Sequence, residues 1–136
     1  NIKFPVGITI WEDIYFMFSY IEQCNKISII NQSLYYYRTR ENSAVNKSET
    51  IKKTMDKLTV LDLLKKLKIN KLNFKKQIAL HEINIKLSFL IKNRIDNKEQ
   101  LKMEITKLKN EKKKYHLNFG LKNTIKYIYL LLKVIK

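Results

Sequence analysis

Between Gly7 and Gly120 the chain contains neither glycine nor proline, and Pro5 is its single proline. Tight turns draw on the positive φ that glycine reaches without steric cost and on the fixed φ of proline, so a sheet of many short strands would lack its turn chemistry here. Long helices need little of either. Apolar residues make up 45% of 136 residues, enough to build a folded core. The expected fold class is therefore mainly α.

Charge divides the chain into two unlike parts. The first 46 residues balance four bases against four acids, so the whole net charge of +16 arises after Asn46. Most aromatic side chains lie on the neutral side, among them Phe4, Trp11, Tyr15, Phe16, Phe18, Tyr20, Tyr35, Tyr36 and Tyr37. This pattern suggests a core-and-site segment over 1–46 and a basic helical appendage over 47–136. An excess of lysine calls for a polyanionic neighbour such as an anionic lipid surface, a phosphorylated substrate or nucleic acid. AT-rich coding also raises lysine content without function, so the sign of the charge does not name the partner.

In the neutral part, Pro5 and Gly7 form a loop, and Thr9 followed by Glu12 reads as a capping box opening a helix that runs to about Cys24. Ile14, Tyr15, Phe18 and Ile21 recur at helical spacing and form its buried face. The stretch from Lys26 to Tyr37 is β-branched and aromatic and suits one or two strands. Beyond it, Asn46 or Ser48 serves as N-cap to a helix marked by Ile51, Met55, Leu58, Leu61 and Leu64. A break over 70–73 precedes an apolar segment from Phe74 to Ile95. Ile83, Ile85, Leu87 and Phe89 alternate there as in a strand, although length favours helix. Leu101, Ile105 and Leu108 mark a thin amphipathic helix expected to be exposed.

Gly120 introduces a last helix on which Lys122, Lys126, Lys133 and Lys136 fall within roughly 80° of arc. Apolar residues from Ile125 to Ile135 cover the remainder. An apolar body with one lysine stripe suits docking of residues 122–136 on an anionic membrane surface, and it equally suits packing on the chain's own domain. No uninterrupted apolar run is long enough to span a bilayer. A lone Cys24 and the lack of a secretory leader pattern point to a cytoplasmic location, peripheral on the inner face of the plasma membrane if the last helix docks.

Metal and phosphate-loop chemistries find little support. His81 and His116 lie too far apart in sequence to suggest a metal pair, one cysteine makes no zinc spacing, and no glycine-rich phosphate loop is present. Nucleic acid is the poorer partner, because the lysines spread over several faces and arginine is scarce. A basic helical nucleic-acid- or anion-binding module remains the alternative for the tail.

Two blocks carry a more specific signal. Trp11-Glu12-Asp13-Ile14-Tyr15-Phe16 places adjacent carboxylates in a first helical turn, where acids also serve simply to complement the helix dipole. Leu34-Tyr35-Tyr36-Tyr37-Arg38-Thr39-Arg40-Glu41-Asn42-Ser43 follows some twenty-five residues later. In this order the blocks resemble the end of the catalytic domain of GT-A family 2 glycosyltransferases, especially those that assemble bacterial capsular polysaccharide, lipopolysaccharide or exopolysaccharide. The resemblance covers about the first third of the chain.

Such a family implies the end of a GT-A α/β domain followed by a helical region, and inverting transfer from a nucleotide-sugar donor to a glycan or lipid-linked acceptor. The resemblance makes Asp13 the catalytic base, with Glu12 and Trp11 on the acceptor side. Arg38, Arg40 and Ser43 would meet the donor diphosphate, although the two arginines could instead pair with Glu41 on the surface. A divalent metal, Mg or Mn, accompanies the nucleotide sugar in such enzymes. No Asp-x-Asp motif occurs in this sequence, and the chain opens at Asn1 without an initiator Met. A fragment without the donor-binding half, holding no cofactor and inactive alone, is what the resemblance then implies.

Overall fold

The computed structural model describes residues 2–36, 38, 50–69, 72–93 and 97–135. Five helices form among them: α1 (Glu12–Gln23), α2 (Ile51–Lys66), α3 (Leu72–Lys92), α4 (Lys98–Lys114) and α5 (Gly120–Ile135). They belong to two compact units, Asn1–Ile69 and Asn70–Lys136. The compositional boundary at 46/47 falls outside the described residues, and α2 packs with α1 in the first unit.

In the first unit, the amine of Lys57 lies over the Trp11 ring at one end, and Glu22 accepts a hydrogen bond from the Lys68 N–H at the other. Both pairs have the same separation in sequence, so α1 and α2 run in the same direction. Parallel neighbours need a long connection, which residues 24–50 supply. Val60, Leu61 and Leu64 are the buried apolar residues of α2. Ile51 and Met55, expected on the same stripe, are exposed. The helix starts from Thr50, whose side chain accepts from the Lys53 N–H, whereas Asn46 and Ser48 lie outside the described residues.

Residues 2–11 are tied to both helices. The Phe4 ring stacks on Phe16 of α1 with centroids 4.4 Å apart. Thr9 is not the N-cap: its N–H and its hydroxyl donate to Asp56 Oδ2 of α2, at 3.0 and 2.8 Å. Trp11 occupies the cap position of α1 with a left-handed φ of 67° and no side-chain cap bond. Asp56 thus holds Thr9 against α2, and Trp11, two residues further on, takes the cap position instead.

The expected strand does not form among the described residues. Among the described residues of 26–38 no strand pairing occurs, and the side chains point into solvent, with Ile29 95% and Tyr36 91% exposed. Tyr37 lies outside the described residues. A strand is stable only when its backbone groups find a neighbouring ladder, and the described residues provide none.

The second unit is a bundle in which α3, α4 and α5 all pack on one another. Links 93–97 and 115–119 are short, so sequential neighbours run antiparallel. Ala79, Ile83, Leu87 and Leu90 of α3 meet Leu101, Ile105 and Leu108 of α4 and Leu130 of α5 in one core. The apparent alternation of Ile83, Ile85, Leu87 and Phe89 therefore belongs to a helix: Ile83 and Leu87 are buried, Ile85 and Phe89 half-buried. The helix expected to be exposed keeps its lysines in solvent, but its apolar stripe of Leu101, Ile105 and Leu108 is buried. A thin stripe at spacings of four and three is enough when two helices close over it.

Local chemistry stops and starts these helices. Asn97 caps α4 by accepting from the Gln100 N–H at 3.1 Å. At its end, Leu117 N–H donates to the Lys112 carbonyl and His116 N–H to that of Lys113, the two bonds of a Schellman motif. His116 takes the left-handed φ of 50° that glycine usually supplies there. Leu117 and Phe119 then turn inward and close the core. Among the described residues the buried apolar side chains lie from Val60 onward, in the basic part, while Tyr20, Tyr35 and Tyr36 of the neutral part are exposed.

Candidate functional site

The start of α1 brings Trp11, Glu12 and Asp13 together, since the three are consecutive at one helix tip. Asp13 is exposed, and its Oδ1 accepts from the Ile14 N–H at 2.8 Å. First-turn N–H groups have no intrahelical acceptor, so this bond holds the carboxylate against its own helix. Among the described residues Oδ2 has no hydrogen-bond or ionic partner. One oxygen is anchored and the other is available to a proton donor. Glu12 is half-buried beside it.

Trp11 is half-buried, with the Lys57 ammonium 5.6 Å from the ring centroid. The Lys57 cation lies over one face of the indole. The φ of 67° at Trp11 is rare for an aromatic residue and persists only where surrounding contacts over-determine the backbone. Anchorage of Thr9 on α2 and α1 itself on the other side provide such a clamp.

The remaining predicted residues are not assembled with this tip among the described residues. Arg38 is exposed and makes no ion pair there, and Arg40, Ser43 and Glu41 lie outside the described residues. No group of three or more metal-capable side chains occurs among the described residues.

Two features escaped the sequence. Asp56 gathers Thr9 and Lys52, whose ammonium lies 3.2 Å from both carboxylate oxygens and donates to the Gly7 carbonyl at 3.2 Å. The Thr9 N–H holds the Asp56 carboxyl below the usual carboxylate range, burial opposes this, and the Thr9 hydroxyl and Lys52 add to the lowering. The one signal of it in the sequence is the Lys52/Asp56 spacing of four. The second feature is a groove of about 450 Å³ between α4 and α5. Ile105, Tyr127, Leu131 and Val134 line it, with Lys102 and Lys109 at its edge.

No protein-family model, curated protein or solved structure matches the chain. No helix among the described residues is long and apolar enough to cross a membrane.

Proposed function

We propose that this chain is the acceptor-side, carboxyl-terminal part of a family 2 glycosyltransferase acting in bacterial surface-glycan synthesis, with Asp13 as its base. The carrying observation is the Asp13 carboxylate, exposed at a helix tip with Oδ1 fixed by the Ile14 N–H and Oδ2 without a partner among the described residues. An acceptor hydroxyl attacks the anomeric carbon of the donor and passes its proton to Oδ2. The bond from that carbon to the diphosphate breaks, and its electron pair leaves with the nucleoside diphosphate. Inversion follows from attack opposite the leaving group. Arg38, with Arg40 and Ser43, takes up the charge on the departing diphosphate.

The exposed residues 27–36 support the same assignment. Ile27, Ile29, Ile30, Leu34, Tyr35 and Tyr36 form a β-prone segment with its apolar side chains in solvent, the state of a strand without its sheet. The GT-A α/β half would supply that sheet, together with the nucleotide sugar and its divalent metal.

Sugar transfer by the enzyme containing this chain is the test. Asp13→Asn, which keeps the acceptor oxygen for Ile14 but removes basicity, is expected to lower transfer at least 100-fold, in the range of general-base catalysis. Helical circular dichroism and Trp11 fluorescence should not change. Transfer at the unsubstituted rate would reduce Asp13 to a helix cap, and transfer by the 136-residue chain alone would remove the assignment of a separate donor half.

A further inference from the structure

Helix α5 has two apolar faces, and only one is used by the bundle. Leu130 is buried in the core, and Tyr127, Leu131 and Val134 pack against it. On another side, Leu121, Ile125, Ile128 and Leu132 are all exposed, between 49% and 79%. Their spacing of four, three and four places them within about 60° of arc at 100° per residue. Tyr129 is exposed next to them.

Cations border this stripe on both banks. Lys122, Lys126 and Lys133 occupy the next arc of α5, between the stripe and the face turned to α3. The Lys126 ammonium donates to Ser88 of α3 at 2.8 Å, which fixes that bank against the bundle. Beyond the other bank, across the groove edged by Leu131, stand the exposed Lys102 and Lys109 of α4. Residues 120–135 contain no Asp or Glu.

From this arrangement we infer that the outer face of α5 docks on an anionic lipid surface, with Leu121, Ile125, Ile128 and Leu132 entering the acyl boundary and the bordering lysines meeting headgroup phosphates. Four aliphatic side chains in one arc have no counterpart on a nucleic acid, whose phosphates would draw the lysines and leave the stripe in water. A second copy would bring lysine against lysine, with no carboxylate on α5 to relieve the repulsion in a chain of net charge +16. A lipid interface satisfies both components, since acyl chains accept the aliphatic arc and anionic headgroups accept the banks. The docking does not depend on the glycosyltransferase assignment.

Co-sedimentation of the full chain with vesicles of phosphatidylcholine, with and without phosphatidylglycerol, tests this. Binding is expected only with phosphatidylglycerol and should weaken as salt rises. Ile128→Ser with Leu132→Ser keeps every charge and should weaken binding at least tenfold. Each of Lys122→Gln, Lys102→Gln and Lys109→Gln should weaken it roughly fivefold, the equivalent of about 1 kcal/mol per charge near an anionic surface. Because these side chains are exposed, unchanged far-UV circular dichroism is expected, and Ile128→Leu should bind as the parent does. Equal binding to both vesicle types, or serine variants that bind undiminished, would overturn the docking. So would a dimer, seen by sedimentation velocity, that the serine variants dissolve while vesicles capture nothing, or retention on duplex DNA with no vesicle binding.

Discussion

Replacing Asp56 with Ala should selectively loosen the first unit. The carboxylate accepts two hydrogen bonds from Thr9, one at 3.0 Å and one at 2.8 Å, and is otherwise buried on α2. Hydrogen bonds to a charged group contribute about 1.5–3 kcal/mol each when sheltered. Thr9 is itself exposed, so water takes over part of its bonding after the substitution, and the exposed Lys52 pair adds only about 0.3–0.5 kcal/mol. The expected loss is about 2 kcal/mol. Trp11 is the only tryptophan and lies in this unit, so its fluorescence during urea unfolding reports on the affected part of the full chain. With a slope of about 1 kcal/mol per molar, the midpoint should fall by about 2 M. A double-mutant cycle with Thr9→Ala should return a coupling of at least about 1 kcal/mol. The pH dependence has a definite sign. Asp56 titrates lower in the folded chain than its ordinary value of 3.8, so its contribution is complete above that value and disappears as pH falls through the folded one. Parent and variant should therefore converge in strong acid. A loss below about 0.5 kcal/mol, additivity with Thr9→Ala, or a gap that survives acidification would refute the proposed tie.

Two further substitutions probe the packing. Leu87→Ala, at a fully buried position of α3, should cost about 2–5 kcal/mol through the cavity it leaves, measured as a lowered melting transition by far-UV circular dichroism; an unchanged transition would contradict the bundle core. Ser19 is buried on α1, and its hydroxyl has no hydrogen-bond partner among the described residues. Ser19→Ala should therefore be neutral or stabilise by up to about 1 kcal/mol in the same urea assay, and a clear loss would reveal a partner for that hydroxyl.

Helical structure was legible in the sequence because it is a local property. Scarce glycine and proline, and apolar residues at spacings of three and four, marked segments matching all five helices, and the breaks near 70 and 120 fell at or beside helix starts. The acids at the tip of α1 were legible for the same reason. What Thr9 would bond, which faces would be covered and whether residues 26–36 would pair were not, since each depends on residues distant in the chain. Thr9 found Asp56, forty-seven positions away, in place of its own helix start. Leu101, Ile105 and Leu108 looked like a thin exposed stripe until α3 and α5 closed over them.

By itself, then, the sequence determined where the backbone coils, because hydrogen bonds from one residue to the fourth before it and the capping groups at their ends lie within a few residues. Only the tertiary structure decided which side chains leave water. Burial is a relation between surfaces brought together from separate parts of the chain, and α5 shows this most plainly: Leu130 is buried in the bundle core, while Leu121, Ile125, Ile128 and Leu132 of the same helix are exposed.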